Sequence, residues 1–102
     1  MQDLPSAGDQ SRTLVLKLFV NGTSPRTATA IHNLQRICED ELQGRYRIEV
    51  IDVTTDPHLA EQQRVLATPT LIKELPPPMR RVIGDLSDRD KVLLGLELRR
   101  QD

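Results

Sequence analysis

The spacing of apolar positions changes along the chain, and the changes divide it into elements. Thr13 to Val20 (TLVLKLFV) is almost continuously apolar, which predicts a strand covered on both faces near the centre of a parallel or mixed sheet. After the loop Asn21 to Pro25, Ala28, Ile31, Leu34, Cys38 and Leu42 recur every three or four residues and share one face of a helix. Ser24 suits the cap of that helix, Pro25 its first turn and Gly44 its end. Tyr46 to Val53 (YRIEVIDV) alternates and then turns apolar, predicting a second strand joined to the first by a right-handed crossover. Asp56 and Pro57 open a short helix carrying Leu59, Ala60, Val65 and Leu66, with Glu61 to Arg64 toward water. It must stop before Pro69, because the residue preceding a proline avoids helical geometry. Thr70 to Leu75 and Met79 to Ile83 read as strands on either side of the rigid run Pro76, Pro77, Pro78. Ser87 with Asp90 forms an S-x-x-D capping box that opens a last helix toward Arg100.

The resulting order, β-α-β-α-β-β-α, is the thioredoxin-like α/β arrangement, and it places Pro69 where that fold keeps a proline in cis. Residues 13–100 form one domain, residues 1–12 with Pro5 and Gly8 a polar arm, and residues 101–102 a tail. The C-terminal part reads two ways. Val92, Leu94, Leu96 and Leu98 alternate as in a strand, whereas Val92, Leu93 and Leu96 behind the capping box fit a helix. Met79, Val82, Ile83 and Leu86 stand at helical spacing behind the prolines, so this stretch is a helix in one reading and a strand in the other. Gly95 costs a helix about 1 kcal/mol relative to alanine and narrows the gap. An alternative packing follows as an expectation, in which residues from about 70 to 100 exchange helix and strand.

Composition narrows the functions open to such a domain. Phe19 and Tyr46 are the aromatic residues in 102, so a base-stacking platform is excluded. A net charge of −1 with mixed signs supplies no field for nucleic acid or an acidic membrane. No apolar run approaches the roughly 20 residues that span a bilayer, and residues 1–12 lack a signal-peptide core. Cysteine is used once, at Cys38, so no disulfide framework marks an oxidising compartment, and the expected location is cytoplasmic.

A thiol–disulfide enzyme of this fold needs its reactive pair where the first strand meets the first helix, but that loop is Asn21-Gly22-Thr23-Ser24-Pro25, with no sulfur. Cys38 lies about three turns along the helix on its apolar stripe, where a thiol is inert. A glutathione-binding enzyme is the rival reading, with Ser24 beside the cis-proline region, although Ser24 also serves as a plain helix cap. His32 and His58 have no Cys, Asp or Glu at ligand spacing, so neither metal nor cofactor is expected. Lys73, Arg80 and Arg81 cluster around the prolines and suit an acidic partner surface. The strand from Tyr46 would be a sheet edge able to accept a strand from another protein, with Arg45, Arg47 and Glu49 guarding it against self-association.

The runs VLKLFVNG (15–22), VIDV (50–53) and LATPTLIKELPPPMRRVIGDLSDRDKVLLGLEL (66–98), with the loop ending at Pro25, resemble the KaiB family from about Thr13 to Leu98. That resemblance implies a non-catalytic protein that binds the hexameric ATPase KaiC and, in cyanobacteria, thereby sequesters KaiA. It also implies exchange between a dimeric or tetrameric ground-state fold and a thioredoxin-like monomer that binds KaiC. Lys73 and Arg81 match basic positions that help partner binding in the family. Pro69, Pro76, Pro77, Pro78, Gly95 and Glu97 are the expected switch positions. The chain departs from the cyanobacterial pattern in its longer N-terminal arm, in ending at Asp102 without an acidic tail, and in Glu97, where a shorter acidic residue is usual. Circadian timing and a stress or adaptive response beside a KaiC-like ATPase both remain open, with KaiA a partner only where the organism has one.

Overall fold

The computed structural model describes residues 13–98. The arm, the tail and the end of the last predicted helix lie outside the described residues. The chain runs β1 (Leu14–Val20), α1 (Pro25–Glu41), β2 (Tyr46–Asp52), α2 (Pro57–Gln62), β3 (Thr70–Leu75), β4 (Arg80–Ile83) and α3 (Arg89–Gly95). The four strands form one sheet in the order β2-β1-β3-β4. β1 is parallel to β2 and antiparallel to β3, and β3 is antiparallel to β4. This is the expected thioredoxin-like topology, with the most apolar strand in the interior.

β1 divides its side chains between two cores because successive residues point to opposite faces. Leu14, Leu16, Leu18 and Val20 join Ala30, Leu34, Ile37 and Cys38 of α1, Leu71, Val82 and Leu86, and Val92, Leu93 and Leu96 near α3 in the larger cluster. Phe19 points the other way, meeting Ile51 and Ile72, with Val53, Ala60 and Val65 packed against them. Thus α1 and α3 cover one face, and the six residues of α2 cover only part of the other.

The helix ends depart from expectation for identifiable reasons. Ser24 caps α1 as anticipated, its hydroxyl accepting from the Thr27 amide. α2 stops at Gln62, because Arg64 takes a left-handed backbone with φ of 54° and turns the chain. Val65 still reaches the smaller core, whereas Leu66 is 94% exposed. The cap of α3 is Asp88, whose carboxylate accepts from the Lys91 amide. Ser87 instead donates its amide to Asp85 Oδ1.

α3 ends at Gly95 because the chain reverses through Glu97, at φ of 60°. The Leu98 amide reaches back to the Leu93 carbonyl at 2.8 Å and the Glu97 amide to Leu94 at 3.0 Å. These bonds satisfy the last carbonyls of the helix and are normally built around a glycine at the left-handed position.

Candidate interaction surface

The loop between β1 and α1 is held by a residue that the sequence did not single out. Asp52, at the end of β2, accepts from the Gly22 amide at 3.1 Å and from the amide and hydroxyl of Thr54 at 2.9 and 2.7 Å. The Thr54 hydroxyl and amide, then the Gly22 amide, hold its carboxyl below the ordinary value. A carboxylate followed two residues later by threonine was the available signal, since Asp side chains readily bond the backbone two residues on. The loop thus has a structural tie where a redox enzyme would carry its chemistry.

The Thr68-Pro69 peptide is cis, as expected, and so are Leu75-Pro76 and Pro77-Pro78. Pro69 and Ser24 are brought together with Asn21, Arg26, Thr27 and Thr68 around a cavity of about 30 Å³. That volume is on the scale of a single water and far below the roughly 300 Å³ of a small-molecule pocket. Cys38 is 1% exposed within the larger core, and burial, with a smaller contribution from Glu39, pushes its thiol up to about 12. His32 and His58 are exposed. Among the described residues no group of three His, Cys, Asp or Glu is placed to hold a metal ion.

Lys73, Arg80 and Arg81 do not form one basic cluster. Lys73 stands opposite Leu16 and Arg80 in the sheet, on the face of the larger core, and is 4% exposed. Leu71, two residues before it, lies in that core, so strand alternation turns the lysine to the same side. This corrects its expected place on an open partner surface. The two arginines point to opposite faces of β4. Arg80 donates through Nε and Nη2 to Glu97 at 2.9 and 2.8 Å. Arg81 donates to the carbonyls of Gln63 and Arg64 at 2.7 and 3.2 Å, where α2 ends. Each therefore fastens an element as well as facing solvent.

The expected switch residues Gly95 and Glu97 meet the same strand. A methyl group added at Gly95 would lie 2.7 Å from Val82 Cγ2, so glycine allows α3 to approach β4 closely. Glu97 is tied to Arg80 on the neighbouring turn.

β2 is an edge strand, as the sequence predicted. Arg47 and Glu49 are exposed on the face opposite the larger core, 3.9 Å apart. Lys17 of β1 extends the row, reaching Glu49 at 4.0 Å and Glu74 of β3 at 3.0 Å. This alternating row was missed, because its members become neighbours only through strand register.

A family model described as the KaiB domain matches residues 17–98. The chain is 56% identical over 87 residues to the circadian clock oscillator protein KaiB of Microcystis aeruginosa, covering 85% of this chain and 84% of that one. The protein of the same description from Prochlorococcus marinus is 55% identical over 87 residues, covering 85% and 83%. Among solved structures, the N-terminal domain of Synechococcus elongatus SasA superposes with a TM-score of 0.72 at 26% identity, covering 89% of this chain and 90% of that domain. Mitochondrial thioredoxin 3 of Saccharomyces cerevisiae gives 0.68 at 15% identity, covering 91% and 85%, a likeness of fold.

Proposed function

Because this chain belongs to the KaiB family of non-catalytic clock proteins, we propose that it regulates a KaiC-like hexameric ATPase by binding it from the cytoplasm. The role is circadian timing or a related adaptive response, and a KaiA-like protein takes part only where the organism has one. In this reading the thioredoxin-like monomer is the binding form. A dimer or tetramer in which residues from about 70 to 100 exchange helix and strand is the reserve. Two packings of one sequence are rare and must lie within a few kcal/mol of each other.

The observation that carries the reading is 56% identity to clock proteins across 85% of the chain. The chemistry of the fold supports it, since the loop that would hold a reactive thiol contains none and the adjoining cavity is about 30 Å³. Arg47, Glu49, Arg80 and Arg81 are the proposed contact residues, and Pro69, Pro76, Pro77, Pro78, Gly95 and Glu97 the switch positions. Lys73, buried in this form, is left out of the contact set. A binding form populated part of the time weakens apparent affinity by its own fraction.

The test mixes the full chain with a KaiC-like hexamer and ATP and follows complex formation by size exclusion and fluorescence anisotropy. Association is expected at a rate that levels off as ATPase concentration rises, because conversion then limits it. No complex in the presence of ATP would refute the proposal. Turnover of insulin disulfide or of a glutathione conjugate would restore the enzyme reading.

A further inference from the structure

We propose that Asn21 is a site of spontaneous modification, deamidating through the backbone nitrogen of Gly22, and that Asp52 restrains the reaction. The first condition lies in the sequence. Asparagine is among the thermolabile side chains, because its amide carbon stands within ring-closing reach of the next backbone nitrogen. Asn21 is followed by Gly22, which has no side chain to crowd that nitrogen as it attacks. Asn33, the other asparagine, is followed by Leu34 inside α1 and donates its side-chain amide to the Asp85 carbonyl at 2.8 Å. The helix engages the Leu34 nitrogen, so Asn33 is an internal control.

The structure supplies the second condition. Asn21 is exposed where β1 gives way to the loop before α1. Gly22 holds φ of 68°, and no atom lies within 4 Å of where a Cβ would stand, so packing does not confine the turn. The contact that does hold it runs from the Gly22 amide to Asp52 Oδ1 at 3.1 Å. That bond opposes the reaction twice. It takes up the hydrogen the nitrogen must lose, and it sets a carboxylate beside the nitrogen, where a second negative charge is unfavourable. Thr54 steadies the same oxygen through its amide and hydroxyl at 2.9 and 2.7 Å.

When the Gly22 amide leaves Asp52, its nitrogen gives up its proton to solvent and attacks Asn21 Cγ. A bond from that nitrogen to Cγ replaces the bond from Cγ to Nδ2, and solvent returns a proton to Nδ2, which departs as ammonia. Water then opens the succinimide at either carbonyl, giving aspartate or isoaspartate. One water is taken up, one ammonia is released, and nothing is oxidised or reduced. Either product adds a carboxylate to a loop whose Gly22 is held by the carboxylate of Asp52, and beside Arg26, which lines the same small cavity as Asn21. Isoaspartate also lengthens the backbone ahead of Gly22. Both products weaken the tie between the loop and the end of β2, without an enzyme and independently of any ATPase.

The full chain is held at pH 8 for several days beside a synthetic peptide of residues 18–26, which sets the unrestrained rate. Trypsin, cutting after Lys17 and Arg26, releases the same segment from the protein for mass spectrometry. Fragment 18–26 should gain the mass of an amide-to-acid exchange and divide into aspartate and isoaspartate forms, more slowly than the peptide. Fragment 27–36, with Asn33, should stay unchanged. Asp52→Ala should speed the change on the order of tenfold, the scale on which a hydrogen bond to a charged group shifts an opening equilibrium. Protected β1–β2 amides in that variant show that the loop alone has opened. Thr54→Val, which removes only the hydroxyl that steadies Asp52, should speed it by less and carries the test if Asp52→Ala unfolds. Gly22→Ala should slow it. A wild-type fragment left unmodified after the peptide has converted overturns the site. Wild-type conversion at the peptide's rate, or at the rate of both Asp52→Ala and Thr54→Val, overturns the restraint.

Discussion

Replacing Glu97 by glycine and, separately, by alanine isolates two opposed contributions at the end of α3. Glu97 holds a left-handed backbone, with φ of 60°, at a position that usually belongs to glycine. For a residue with a Cβ that conformation costs about 1–2 kcal/mol. Against this, its carboxylate takes two bonds from Arg80, at 2.8 and 2.9 Å, in a half-exposed ion pair of a kind worth about 0.2–1 kcal/mol. Both substitutions remove the pair, and only glycine relieves the backbone. Glycine's greater freedom when unfolded offsets roughly 0.5 kcal/mol of the gain. Glu97→Gly should therefore be about 1 kcal/mol more stable than Glu97→Ala, with the wild type between them or level with glycine. For a domain of this size 1 kcal/mol moves the melting temperature by about 4–8 °C, which thermal unfolding followed by circular dichroism resolves. At 1 M salt, where the screening length falls to about 3 Å, the wild type should converge on the alanine variant while the gap to glycine persists. Equal melting temperatures for the two variants would refute the argument, because the left-handed turn would then carry no cost.

Further outcomes follow from other contacts. Gly95→Ala adds helix propensity but directs a methyl group to within 2.7 Å of Val82 Cγ2, so a double-mutant cycle with Val82→Ala should show favourable coupling of at least about 0.5 kcal/mol in urea unfolding. The Cys38 thiol, pushed up to about 12, should resist alkylation at pH 8 until the chain unfolds. Above pH 9 the unfolded chain loses this proton before the folded one, so stability should fall by up to about 1.4 kcal/mol per pH unit toward pH 12, and Cys38→Ala should lack that slope. Asp52 is held below its ordinary carboxylate value by Thr54 and Gly22, so its contribution is present above the unfolded value and lost as pH falls through the folded one. Asp52→Asn should speed amide exchange at Gly22 and Thr54 while leaving the β1–β2 ladder protected.

Much of the fold could be read from local pattern because local pattern caused it. The unbroken apolar run of β1 required cover on both faces, and the three-and-four spacing from Ala28 to Leu42 required a helix, although its buried stripe is Thr27, Ala30, Leu34, Ile37 and Cys38 and Ala28 is exposed. Ser24 marked its start, and its hydroxyl does accept from Thr27. The misreadings arose where a single backbone angle or a neighbouring strand decided. Arg64 and Glu97 adopt left-handed geometry without being glycine, so the stops of α2 and α3 left no compositional mark. Asp88 competes with Ser87 for the same cap, and only the bond to Lys91 decides between them. Lys73 looked like surface by its charge, but its register partner Leu16 places it over the larger core. The row Glu74, Lys17, Glu49 comes from three different strands, and no window of sequence contains it.

β1 is gripped on both sides, by β2 and β3, and is roofed by α1, whereas β4 has a strand neighbour on one side and α3 rests on it through Val82, Leu93 and Leu96. The molecule therefore has a seam. Peeling β4 and α3 away opens one short backbone ladder, the aliphatic contacts, the bonds of Arg81 to the end of α2 and the ion pairs of Arg89 to Asp40 and Glu41, yet leaves the β1–β2 and β1–β3 ladders paired. Three of the four strands therefore keep a ladder when the seam parts, and the last third of the chain is the part held by the fewest backbone bonds to the rest.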